Sequence, residues 1–226
     1  MNFIIRAPHY RNSSAGIRVL HRLAELLNQA GYNAICTKQC QKIKGDTIVI
    51  YPEITRGNPF KAKYIVRYIL NAPGRLGGPS SFAKSDLLVA YSPDLSGYAQ
   101  GEILTVNVIE DFFCYNGETK SLDYFYKGKG INTEHPAIQG LAEITPQWPA
   151  SRLELSDILK KTRTLYTYDN YTCLISEAIR CGCNVMYVHP DHNINPVQLF
   201  DGDLDYSKES DQVRRLIQRC LKLINH

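Results

Sequence analysis

Between Thr164 and Val188 the chain reads T-L-Y-T-Y, D-N-Y-T, C-L-I-S-E-A-I-R-C-G-C and N-V-M-Y-V. A β-rich run meets a polar turn, the turn opens a helical stretch, and a second apolar run follows Gly182, the pattern of a strand–helix–strand crossover. Such a crossover joins parallel strands, which commits this part of the chain to an α/β architecture. At the turn, Asp169, Asn170, Tyr171 and Thr172 bring side-chain oxygens and unpaired backbone N–H groups to the start of the helix, an arrangement suited to phosphate. Glu177 follows Asp169 by eight residues, about two helical turns below the cap, and its carboxylate is expected to point back toward the mouth of the strand. The plain structural alternative makes Thr172 an N-cap, Glu177 a solvated helix residue and Gly182 a C-cap.

The rest of the chain can be placed around this segment. Asn2 to Ala7 is an apolar β-run ending in the polar loop P-H-Y-R-N-S-S-A-G, and Gly16 to Ala30 repeats apolar residues with helical spacing until Gly31 ends it. Tyr32–Cys36 and Asp46–Tyr51 read as strands, and a polar turn with Glu53 and Arg56 follows. A helix is expected from about Phe60 to Leu70, then strands at Asp86–Tyr91 and Leu104–Ile109. Loops 8–15, 52–58, 92–98 and 110–117 would then share the carboxyl rim of a doubly wound sheet.

The polar run C-Y-N-G-E-T-K-S at 114–121 reads as a linker. Beyond it a second series begins: a strand at Leu122–Tyr126, a G-K-G turn, a strand at Leu141–Ile144, and a helix at Ser151–Lys161 starting near Ser151 or Ser156. The final stretch, Lys208–Ile224, is an amphipathic helix whose apolar face must dock. The expected fold is therefore two small Rossmann-like domains, 1–117 and 118–207, with a cleft between them and a C-terminal helix, 208–226, packing back on the first.

With 226 residues, 44% of them hydrophobic, the chain can build a proper core, and no apolar run approaches the roughly 18 residues of a membrane span. The first residues lack a signal-peptide layout, so a cytoplasmic location is expected. Seven cysteines without zinc spacing read as reduced thiols. A net charge of +4 without a basic tail favours anionic ligands or the inner face of a membrane, reached peripherally, and argues against nucleic acid. No G-x-G-x-x-G follows the first strand, and neither a P-loop nor a G-x-S-x-G elbow occurs, which removes the main support for dehydrogenase, NTPase and serine-hydrolase readings. Asp201-Gly-Asp203 and Asp203-Leu-Asp205 imitate a metal-binding D-x-D, but follow the last expected strand and read as a polar loop.

R-A-P-H-Y-R-N-S-S-A-G-I-R-V-L-H-R-L, Y-P-E-I-T-R-G-N-P, L-D-Y-F-Y-K-G-K-G and T-Y-D-N-Y-T-C-L-I-S-E-A-I-R-C-G-C stand in the order in which similar motifs stand in bacterial polysaccharide glycosyltransferases of the GT-B architecture. The last resembles their E-x7-E element, with Asp169 in the first acidic position. This resemblance implies that Glu177 holds the donor ribose and that the second half takes a nucleotide sugar. It implies further that the first half takes a saccharide or lipid-linked acceptor, and that no metal or additional cofactor is needed. Typical members are longer, so each half here is trimmed. Lys127 and Lys129 suit a diphosphate leaving group. Asn170, Tyr171 and Thr172 complete that site, with Arg6, Ser13, Ser14 and Gly16 reaching the donor phosphates across the cleft. For deprotonating the acceptor, Glu53 is the first candidate and Asp94 the second, with Glu110 and Asp111 also near strand ends and His9 able to contact either substrate. The expected function is glycosyl transfer in surface-polysaccharide assembly. A non-catalytic sugar-nucleotide-binding or accessory subunit, and an epimerase or phosphotransferase acting on a similar nucleotide, stand as alternatives.

Overall fold

The computed structural model describes residues 1–40, 43, 45–130, 134–197 and 206–225. The two D-x-D sequences at 201–205 lie outside the described residues. The chain divides into two compact units, the first comprising Met1–Arg11, Gly16–Val108 and Asp205–His226, the second Asn12–Ala15 and Ile109–Leu204. Both are α/β units with mainly parallel sheets, compatible with a two-domain Rossmann-like organisation. Their boundary lies at 108/109, upstream of the expected 117/118.

In the first unit β1 (Asn2–Arg6), β2 (Asn33–Thr37), β3 (Thr47–Pro52), β4 (Tyr64–Ile69) and β5 (Leu87–Ala90) form a wholly parallel sheet in the order β2-β1-β3-β4-β5. Alternation along the strands sends Phe3, Ile5, Ile48, Ile50, Val66 and Tyr68 to one face. There they meet Leu20, Leu23 and Leu27 of α1 (Ala15–Gln29) and Val213, Leu216, Ile217 and Cys220 of α4 (Glu209–Asn225). The periodic stripe that predicts the C-terminal helix is thus the stripe buried in this core. Ile4, Val49 and Tyr51 point to the other face, which Phe60 and Ala62 cover.

Two expectations fail here. The helix expected at Phe60–Leu70 is replaced by strand β4: Y-I-V-R-Y-I is β-branched and aromatic, and its alternating sides both find partners across the sheet. Phe60 and Ala62, at the start of that stretch, cover the far face. The strand expected at Leu104–Ile109 does not form; an isolated bridge joins Ala90 and Ile103 just before it. Side chains take over the polar groups of this segment. Gln212 accepts from Thr105 N–H at 2.8 Å and Glu209 from Asn107 N–H at 2.7 Å. Tyr68 and Tyr91 donate to the carbonyls of Leu104 and Val106, and Arg18 donates to Val108 O at 2.7 Å. Buried backbone groups must be paired, and here side-chain pairing removes the need for a ladder.

The second unit holds β6 (Leu122–Tyr126), β7 (Ala142–Glu143), α2 (Arg152–Lys161), β8 (Thr162–Thr167), α3 (Cys173–Arg180), β9 (Asn184–Val188) and β10 (Ile194–Pro196). The sheet order is β10-β9-β8-β6-β7, parallel except for β10 against β9. One face is built by Phe125, Tyr168 and Val188 under Ile138 and Leu141. Ser151 caps α2, accepting from Glu154 N–H at 3.1 Å, while Ser156 is buried and donates to Phe112 O at 2.8 Å.

The expected linker at 114–121 is packed into this unit, and loop 110–117 belongs with it. The Lys120 ammonium donates to the carbonyls of Leu159, Lys160, Thr162 and Cys181 at 3.3, 3.0, 3.1 and 2.7 Å. One cation thereby satisfies carbonyls left over at the C-terminal ends of both α2 and α3, where the helix dipoles favour positive charge. Substituting Lys120→Met is expected to cost about 2 kcal/mol, the scale of a charge-assisted hydrogen bond lost with its acceptors left in place. Denaturant unfolding of the two proteins measures it.

Candidate functional site

Both sheets have a point where the strand order reverses, and in open α/β sheets ligands collect outside the carboxyl ends of the two strands that meet there. In the second unit β7 and β8 flank β6 on opposite sides, so the point lies between β6 and β8. β6 runs into Lys127-Gly128-Lys129-Gly130, a tight turn closed by Gly130 N–H to Lys127 O at 3.1 Å. β8 runs into Asp169-Asn170-Tyr171-Thr172. Thr172 caps α3 through its hydroxyl, which accepts from Leu174 N–H at 3.3 Å.

Asp169 ties these turns together. Its carboxylate is 1% exposed and accepts from Lys129 N–H through Oδ2 and from Tyr171 N–H through Oδ1, both at 3.1 Å. The fit leaves no room for a side chain at positions 128 and 130 of the basic turn. A Cβ on Gly128, whose φ is +56°, would lie 2.7 Å from Asp169 Cβ, and a Cβ on Gly130 would lie 1.9 Å from Tyr168 O. Asp169 therefore braces the site rather than facing a ligand. Lys129, Asn170 and Tyr171 are exposed around it, and Lys127 is half-buried with its ammonium 3.5 Å from Glu143 on β7. The Tyr126 phenol, hydrogen-bonded to Thr172, has its pKa raised chiefly by burial.

Glu177 stands elsewhere than expected. It is 1% exposed, and its two oxygens receive Arg152 at 3.0 and 2.7 Å. The same guanidinium reaches Glu110 at 3.2 and 2.6 Å and lies 4.5 Å from the centre of the Phe113 ring. Burial works against the Arg152 charge, but its hydrogen bonds to the two glutamates outweigh that and raise its pKa. The geometry corrects the reading of Glu177 as a solvated helix residue: its carboxylate is buried and paired with Arg152.

In the first unit β2 and β3 flank β1, which places the reversal between the ends of β1 and β3. Arg6 closes β1 and donates to Thr55 Oγ1 at 3.1 Å. His9 is exposed in the loop after β1. Glu53, just after β3, is 3% exposed and accepts from Leu70 N–H at 3.1 Å, tying the end of β3 to the end of β4. Arg56 donates to Gly77 O at 2.8 Å. Asp94 is exposed in a short 3-10 turn, Pro93–Ala99, beyond edge strand β5, away from the reversal point. Ser14 is half-buried just before α1, and Gly16 lies in the first turn of that helix.

Among the described residues no group of three or more His, Cys, Asp or Glu side chains is placed to hold a metal ion. The cysteines are free thiols, and burial pushes Cys183 and Cys220 up to about 12, which leaves them unreactive. The Asp169 brace to Lys129, the Arg152 clamp and the Lys127–Glu143 pair escape sequence reading because each joins residues 16 to 42 positions apart in the chain. The one available signal was the pair of glycines around Lys129, which demands a close approach by some other backbone.

Replacing Gly130 by Ala is expected to unseat the basic turn and lower the melting temperature by several degrees, whereas Lys129→Ala leaves it unchanged; differential scanning calorimetry separates the two. Glu177→Ala, which opens a buried ion pair, is expected to cost about 3 kcal/mol in denaturant unfolding. No protein-family model matches the chain, and no curated protein is significantly similar to it.

Proposed function

We propose that the chain is a metal-independent glycosyltransferase of GT-B-like organisation that moves a sugar from a nucleotide donor to a saccharide or lipid-linked acceptor. The observation that carries this reading is the meeting of the basic turn Lys127–Gly130 with the helix-opening turn Asp169–Thr172 at the reversal point of the second sheet. A diphosphate needs positive charge and backbone donors in a preorganised place, because negative charge on it grows as the glycosidic bond breaks. Lys127 and Lys129 supply the charge, and Asn170 and the exposed Tyr171 lie where a nucleoside would extend from the phosphates. Glu177 acts in this scheme through the fold, holding α2, α3 and the 110–113 segment in register.

The acceptor belongs to the first unit. Of the candidate bases, Glu53 is buried and hydrogen-bonded and Asp94 lies beyond the edge strand, so proton removal falls first to the exposed His9. The setting that suits this chemistry is the cytoplasmic face of a membrane. No described helix is long and apolar enough to cross a membrane. The alternative, a non-catalytic sugar-nucleotide-binding subunit, draws support from the same inward commitment of Glu53 and Glu177, which leaves few carboxylates for catalysis.

Isothermal titration with a panel of uridine, guanosine and thymidine diphosphates, followed by donor-hydrolysis assays with the matching nucleotide sugars, decides between them. Binding that weakens about tenfold, or 1.4 kcal/mol, in Lys127→Ala and in Lys129→Ala is expected, together with slow donor hydrolysis. Binding without turnover under any acceptor supports the subunit reading. Absence of nucleotide binding removes both.

A further inference from the structure

We infer that the reversal point of the first sheet is an oxyanion site centred on Arg6, and that the acceptor is therefore an anionic molecule, carrying a phosphate ester or a carboxylate. For the word acceptor this rests on the transferase reading above; the site itself stands on the first unit alone.

Arg6 closes β1 at the place where β1 and β3 part, the crevice position of an open parallel sheet. Its guanidinium is half-buried and anchored by one hydrogen bond, from Nη1 to Thr55 Oγ1 at 3.1 Å. Its Nε is buried without a hydrogen-bond partner, and no carboxylate among the described residues forms an ion pair with it. A buried donor left unpaired on a permanent cation is costly, and a bound anion is one partner that relieves that cost. Thr55 is itself 1% exposed and its carbonyl is taken by Arg67 at 3.0 Å, so the hydroxyl that orients Arg6 is fixed in place.

The neighbourhood adds charge of one sign. The stretch after β1, A-P-H-Y-R at 7–11, and the stretch after β3 beyond Glu53, I-T-R-G-N-P-F-K-A at 54–62, contain His9, Arg11, Arg56 and Lys61 and no acidic residue. Glu53 itself is buried and accepts from Leu70 N–H. A guanidinium fork with a free edge recognises planar or tetrahedral oxyanions in two-point fashion, which a lysine cannot reproduce. A neutral saccharide would leave the Nε–H donor without its strongest partner.

Nitrogen-15 spectra of the whole chain provide the test, since a buried arginine Nε–H exchanges slowly with water and gives its own signal, assigned by its loss in Arg6→Lys. Titrating the wild-type protein with n-butyl phosphate and, separately, with glucuronate is expected to shift that signal saturably. The stronger of the two names the source of the anion, a phosphate ester or an acidic sugar. Arg6→Gln is expected to weaken that binding about tenfold. An Nε–H signal that moves with neither probe overturns the inference. So does equal affinity in wild type and a folded Arg6→Gln variant. Loss of the nucleotide site with the Arg6 response intact would remove the transferase reading and leave the anion site standing.

Discussion

Asp169 accepts two backbone N–H groups from turns that follow different strands, and the rim of the second unit depends on that pair of bonds. A carboxylate removed from water must be compensated by donors, and Lys129 and Tyr171 provide them from the two turns it joins. Because those donors are main-chain groups, the brace fixes backbone positions and leaves the Lys129 and Tyr171 side chains outside. The glycines at 128 and 130 follow from the same contact: the turn approaches Asp169 and Tyr168 so closely that a Cβ is excluded. Charge at the rim is thus carried on a frame set below it.

Other buried charges do similar work deeper in the unit. Arg152 serves Glu110 and Glu177 at once, and Lys120 gathers carbonyls from the ends of two helices. A buried ion pair adds little net stability relative to apolar packing, but breaking it by removing one partner is costly. Their effect is to define one arrangement. α2 and α3 are pinned at their junction, and the segment from Glu110 to Lys120 is drawn into the unit though its composition is that of a linker. In the first unit, Gln212, Glu209, Arg18 and two tyrosine hydroxyls do the equivalent for residues 104–108, replacing a strand ladder by side-chain bonds.

Periodicity made much of the architecture legible. The runs at 2–7, 46–51, 122–126 and 164–168 alternate or are continuously apolar and become strands, while 16–30 and 208–224 carry helical stripes that become buried faces of α1 and α4. Failures came where a local pattern serves two partners. Tyr64–Ile69 has the apolar density of a helix face, yet it lies in the sheet with both sides covered. Glu177 occupies a position that helical spacing aims toward the strand mouth, yet Arg152, 25 residues earlier in the chain, draws it inward. Asp169 drew attention as a ligand group because its place in the motif is visible, while its partner Lys129, 40 residues away, is not.

By itself the sequence determined the α/β class, the crossover at 164–188, the cap at Thr172, and the docking stripe of the last helix. Those properties depend on period and on short-range hydrogen bonding, which neighbouring residues specify. Only the tertiary structure decided which carboxylates face solvent and which are consumed inside, and that the Arg6 Nε is buried without a hydrogen-bond partner. Burial and pairing are set by residues far apart in the chain. The physical reason is that a charged group's role follows from its desolvation and its partner, and neither is a local property.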